Sequence, residues 1–192
     1  MIVTPLILLR LALIVFVAVL LQVGFFSQVP LLGSVANLLP VVVVAIGLLG
    51  GAVSGAVAGF ATGLLVDAMI GGTPGIASLS LMAAGYLAGR WREGYDIVSA
   101  VVPPLLSGAL AALAALIYGA LTLTLGVDAP VSVLALREVV VQGLLGVLLA
   151  IPVFPLVRRI LRPALVAGRA RAGGRTANRG GRFGMMSGQG TL

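Results

Sequence analysis

The segment GLLGGAVSGAVAGFATGLLVDAMIGGTPG, residues 47–75, decides the fold. Gly47, Gly51, Gly55, Gly59 and Gly63 recur at every fourth position, and Asp67 takes the next rung. On a helix, residues four apart lie on one face. The ladder therefore leaves a stripe without side chains, which another backbone can approach closely, as in the small-xxx-small packing of membrane helices. Two uses fit: packing inside one bundle, or a groove for a partner's helix, with Gly51, Gly55, Gly59 and Gly63 as the contact positions. The partner reading also admits self-association. A lone carboxylate closing so apolar a stretch is costly unless something receives it.

Working outward, the rest of the chain is just as apolar. Hydrophobic residues make up 60% of it, charged residues 9%, and the mean hydropathy is +1.23. A soluble domain carries roughly a quarter of its residues as charges, so this is an all-α integral membrane protein. Its 192 residues suit one bundle of five or six spans, each of about 20 residues. Cysteine and histidine are absent, which excludes disulfides, thiolate nucleophiles, imidazole bases and histidine–cysteine metal sites. All 12 basic residues are arginine, so no Walker A lysine exists, and no G-x-S-x-G occurs. The five acidic residues are scattered and form no paired-carboxylate site. The sequence names no catalytic residue, cofactor or metal.

The first apolar run, Leu6 to Phe26, is longer than a signal-peptide core of about 7–15 residues and lacks a small-x-small cleavage site. It reads as helix 1. Ser27 to Asn37 is a connection. The charge-free run Leu38–Val66 would measure about 44 Å as one helix, too long for a core of about 30 Å. Gly50-Gly51 offers a turn, giving a short helix 2 from Leu38 with Pro40 in its first turn, then helix 3 to about Ala68. Gly71-Gly72 breaks that helix. Thr73-Pro74 reads as an N-cap and first helical position, starting helix 4 at Pro74 and running to Gly89. Arg90–Asp96 reads as a boundary loop. Helix 5 follows over Leu105–Leu125 and helix 6 over Ser132–Val157, with kinks expected at Pro152 and Pro155. Residues 163–192, rich in Arg and Gly, hold too little apolar surface to order, leaving 1–162 as the folded domain.

With six helices and a cytoplasmic N-terminus, every arginine except Arg137 falls at the cytoplasmic ends or in the tail, and both termini lie inside. A five-helix alternative moves Arg10 outside. The C-terminal arginines meet anionic lipid; no recognition fold supports nucleic acid. The boundary polar set is Asp67, Pro74, Gly75, Arg137 and Glu138. Asp67 sits where the positive end of helix 4 can receive it, as a hairpin lock or as an external contact. Gln142 shares a helix face with Glu138, and Arg137 is within reach of Asp67 or Asp128 for a structural ion pair.

The pattern Gly59-Phe-Ala-Thr-Gly63-Leu-Leu-Val-Asp67-Ala-Met-Ile-Gly71-Gly-Thr-Pro74-Gly75, with Gly85-Tyr86-Leu-Ala-Gly89-Arg90 after it and Asn37-Leu-Leu-Pro40 before, resembles the rod shape-determining protein MreD family. The resemblance covers roughly residues 5–162. It implies a non-enzymatic inner-membrane component of the bacterial elongation machinery that binds MreC. Through MreC it would work with MreB, RodA and a class B penicillin-binding protein in lateral peptidoglycan synthesis. It also implies a fold similar to the six-helix substrate-binding subunits of energy-coupling-factor vitamin transporters. A transport subunit with a cavity open to the outside is the rival function, its polar candidates being Asp67, Arg137, Glu138, Gln142 and Tyr118.

Overall fold

The computed structural model describes residues 5–28, 30–31, 34–71, 74–94, 101–126 and 133–180. Over these it has six α-helices: α1 (Pro5–Gly24), α2 (Leu38–Gly50), α3 (Ala52–Ile70), α4 (Ile76–Gly94), α5 (Val102–Thr124) and α6 (Val133–Gly180). Between α1 and α2 lie a 3-10 turn, Phe26–Gln28, and a minimal antiparallel ribbon of β1 (Pro30–Leu31) and β2 (Ser34–Val35). Three segments are long and apolar enough to cross a membrane: Ala52–Ile70, Val102–Thr124 and Arg137–Ile160. In hydrocarbon every backbone polar group must be satisfied within the chain, which favours helix even for the valine run Val41–Val44.

The centre of the bundle is α2. It touches each of the other five helices, and every residue from Leu38 to Leu48 is buried. A helix apolar all round belongs in an interior, and this one, about 20 Å long, is too short to reach both faces of a bilayer. Its ends therefore stop inside the protein, and other elements satisfy them. At the start, Leu38 N–H donates to Gln22 Oε1 of α1 (2.7 Å) and Leu39 N–H to Asn37 Oδ1 (3.2 Å). Gln22 Nε2 also donates to the Ala36 carbonyl (3.1 Å). At the finish, the Arg92 guanidinium donates to the Leu49 carbonyl.

Residues sort by size rather than polarity. On α3 the buried face is Ala52, Gly55, Ala58, Gly59, Thr62 and Gly63, while Val53, Val57, Phe60 and Leu64 point outward. Large apolar side chains likewise cover the outside of α1, α5 and α6. Such a surface suits lipid and would be a liability in water.

Several boundaries differ from the sequence reading. The α2–α3 break is not among them: it falls at Gly51, where the sequence reading put it, and the described residues form six helices. Gly51 has φ 94°, a left-handed conformation reserved largely for glycine. Helix α4 starts at Ile76, not Pro74, because Gly75 has φ 104° and stands outside the helix. It continues past Gly89 to Gly94; Gly89 is small because a backbone lies against it, not because the helix stops. Helix α5 includes Pro103 and Pro104 in its first turn, where no intrahelical N–H is needed. Helix α6 is assigned without interruption through Pro152 and Pro155, and its backbone stays helical to Gly180. The first part of the 163–192 tail is thus helical backbone, in keeping with its Ala, Leu and Arg content.

Candidate functional site

The glycine ladder is filled from within the chain. A Cβ on Gly55 would collide with the Gly85 carbonyl, one on Gly59 with the Leu81 carbonyl, and one on Gly63 with the Ser78 backbone. From the other side, a Cβ on Gly85 would strike the Gly55 carbonyl and one on Gly89 the backbone of Gly51 and Ala52. Gly47 on α2 meets the same α4 surface, its Cβ position 2.6 Å from the Gly85 oxygen. The two backbones run against each other along the whole of α3, and α4 occupies the groove that the sequence left open to a partner. Partner contact through this stripe is thereby corrected: no surface remains on it.

Carboxylates close both ends of this seam. Asp67, 8% exposed, ends α3: its carbonyl accepts from Gly71 N–H (3.1 Å), completing a left-handed glycine cap. Its Oδ2 crosses the hairpin to accept from Gly75 N–H (2.8 Å) and the Ser78 hydroxyl (3.3 Å). The carboxylate lies against the N-terminal turn of α4, where the helix dipole favours negative charge. At the opposite end, Glu93 Oε1 of α4 accepts from Ala52 N–H (3.0 Å), the first residue of α3. Each helix of the pair thus supplies the anion that caps the other. Arg92, next to Glu93, places its cation on the Leu49 carbonyl in the last turn of α2. One turn of α4 serves the α2–α3 break with the polarity each side requires.

Of the boundary set, the structure brings together Asp67 and Gly75 and leaves Pro74 exposed beside them. Arg137 and Glu138 are exposed on α6. Asp67 is held by the hairpin's own donors, Gly75 N–H and the Ser78 hydroxyl. Asp128 and Thr73 lie outside the described residues. Gln142 does not bond to Glu138 in the described contacts; its Nε2 donates to the Val35 carbonyl (3.2 Å), tying α6 to the ribbon before α2.

Sequence reasoning missed Gln22, Arg92 and Glu93 as caps. Their partners lie 16, 43 and 41 residues away, and the only local signal was polar side chains in or beside apolar runs. It also missed a second small-residue seam, where Gly108 and Ala111 of α5 face Gly143, Gly146 and Val147 of α6. Among the described residues no three carboxylate, thiol or imidazole side chains come together as a metal-ligand set. A surface cavity of about 530 Å³ is lined by Leu87, Arg90, Trp91, Glu93 and Gly94. It is at the Glu93 end of the bundle, away from Asp67. No family model matches the chain, and neither a curated protein nor a solved structure does.

Proposed function

We propose that this chain is a non-enzymatic membrane scaffold of the bacterial cell-elongation complex, holding MreC and, through it, MreB, RodA and a class B penicillin-binding protein. The observation that supports the reading is the construction of the segment carrying the MreD resemblance. Residues 59–90 form a backbone-to-backbone helix pair, held by Asp67 at one end and Glu93 at the other. So tight a seam leaves no room for a substrate, and its polar side chains are engaged within the hairpin. Rigidity is what it offers, and a rigid platform suits the positioning of another membrane protein. Because α4 fills the glycine face, MreC meets the outward side chains of the bundle instead.

In this reading all six helices lie in the inner membrane, α2 enclosed by the other five, with both termini in the cytoplasm. Arg90 and Arg92 share an end with the α2–α3 break. By helix direction Arg10, Arg158 and Arg159 stand at that same end, the orientation positive charge favours.

The experiment is purification of the full chain from native membranes in mild detergent. Co-purification of a single-span protein with a large external domain is expected. A bound vitamin-like molecule or an ATPase module instead would replace the scaffold by the transport subunit. That rival gains nothing from the geometry, since Asp67 is engaged by the hairpin and the described cavity is at the other end.

A further inference from the structure

The last turn of α4 sorts its side chains by direction. Arg92 and one oxygen of the partly exposed Glu93 bond to the α2–α3 break, whereas Arg90 and Trp91 are turned to the surface. Below those two, Leu79, Met82 and Tyr86 are exposed on the same helix at spacings of three and four, with Leu87 exposed beside Tyr86, and together they form one outward stripe. It is apolar for about 12 Å and then ends on a cation and an indole. The cavity of about 530 Å³ lies at that junction, walled by Leu87, Arg90, Trp91, Glu93 and Gly94.

We propose that this junction binds one anionic phospholipid, its acyl chain along the Leu79–Leu87 stripe and its phosphate on Arg90. Arg90 has donors to give. Its ion pair with Glu93 Oε2 is long, at 3.8 Å, between side chains 69% and 45% exposed, and such a surface pair is weak. The other Glu93 oxygen is committed to Ala52 N–H. Most of the planar guanidinium fork therefore faces outward, in the geometry that grips a phosphate through paired hydrogen bonds. Together Arg90 and Arg92 outweigh Glu93, leaving the turn positive. The Trp91 ring supplies an apolar body and a polar edge, the combination that settles at headgroup depth. A free phosphate would gain nothing from Leu87, Trp91 or the stripe, and for that reason the occupant is a lipid. The site concerns lipid alone and stands independently of the protein partner.

Trp91 is the single tryptophan of the chain, so its fluorescence reports on this place and no other. The full-length protein is reconstituted in phosphatidylcholine nanodiscs, and phosphatidylglycerol or phosphatidylcholine with brominated acyl chains is added in increasing fraction. Phosphatidylglycerol is expected to quench Trp91 with a preference of about fivefold, the worth of one near-surface cation. Arg90→Gln should merge the two curves, while the double variant Arg158→Gln/Arg159→Gln should keep them apart. In unaltered protein the preference should fall with added sodium chloride and resist inorganic phosphate at matched ionic strength. Equal quenching by both lipids would overturn the site. So would a preference that survives Arg90→Gln, vanishes with the Arg158/Arg159 variant, ignores salt, or is displaced by inorganic phosphate.

Discussion

The α3–α4 and α5–α6 seams are both made of small residues, yet they are built to different tolerances. Along α3–α4 the obstacle to a Cβ is backbone at Gly55, Gly59, Gly63, Gly85 and Gly89. The buried hydroxyls of Thr62, Ser78 and Ser80 all find acceptors, and carboxylates cap both ends. Along α5–α6, Gly108 meets chiefly the Val147 side chain, and a Cβ on Gly143 would sit 3.3 Å from Ala112 Cβ. The Ser107 hydroxyl, buried in this seam, has no hydrogen-bond partner among the described residues. Backbone cannot move aside without moving a helix, whereas a side chain can rotate. The first seam is therefore a fixed joint and the second an adjustable one.

Four substitutions probe that difference, each read as a change in unfolding free energy of the full chain in nanodiscs. Gly85→Leu should do most damage, above about 3 kcal/mol, since its side chain enters the Gly55 backbone and Val43 together. Asp67→Ala should cost about 1–3 kcal/mol by leaving Gly75 N–H and the Ser78 hydroxyl unpaired, with Asp67→Asn recovering part of it. Gly108→Ala should cost about 1–2 kcal/mol, because Val147 can turn but the Gly143 oxygen, 2.7 Å from the new Cβ, gives only slightly. Gly143→Ala should stay within about 0.5 kcal/mol, its close contact offset by better helix propensity. A Gly143→Ala loss as large as that of Gly85→Leu would erase the distinction between the two seams.

The hairpin was legible in the sequence because its signals are local. The four-residue glycine period, Asp67 on the next rung and Gly71 after it lie within one short stretch; the structure places Gly55, Gly59, Gly63 and Asp67 on one seam and Gly71 at the cap of α3. The break at Gly50-Gly51 was legible for the same reason. What stayed hidden is the central place of α2: when every segment is apolar, hydropathy cannot tell an interior helix from a lipid-facing one. Side-chain size carries that information instead, and on α3 it separates Gly55, Gly59 and Gly63 from Val53, Val57 and Phe60. Arg92 and Glu93 read as a boundary loop because charges at the end of an apolar run usually mean water. Here they stay helical, and their long-range partners give them a structural task. The ladder's occupant could not be read either, since the stripe looks the same whether the incoming backbone belongs to this chain or to another.

That last ambiguity is the account's central claim, and thermal unfolding of Gly59→Leu, purified away from every partner and reconstituted alone, tests it most directly. The account predicts a large fall in melting temperature relative to the unaltered chain, because the leucine would displace Leu81 and with it α4. An unchanged melting temperature would contradict it, showing the glycine stripe free in the isolated protein and kept open for something else.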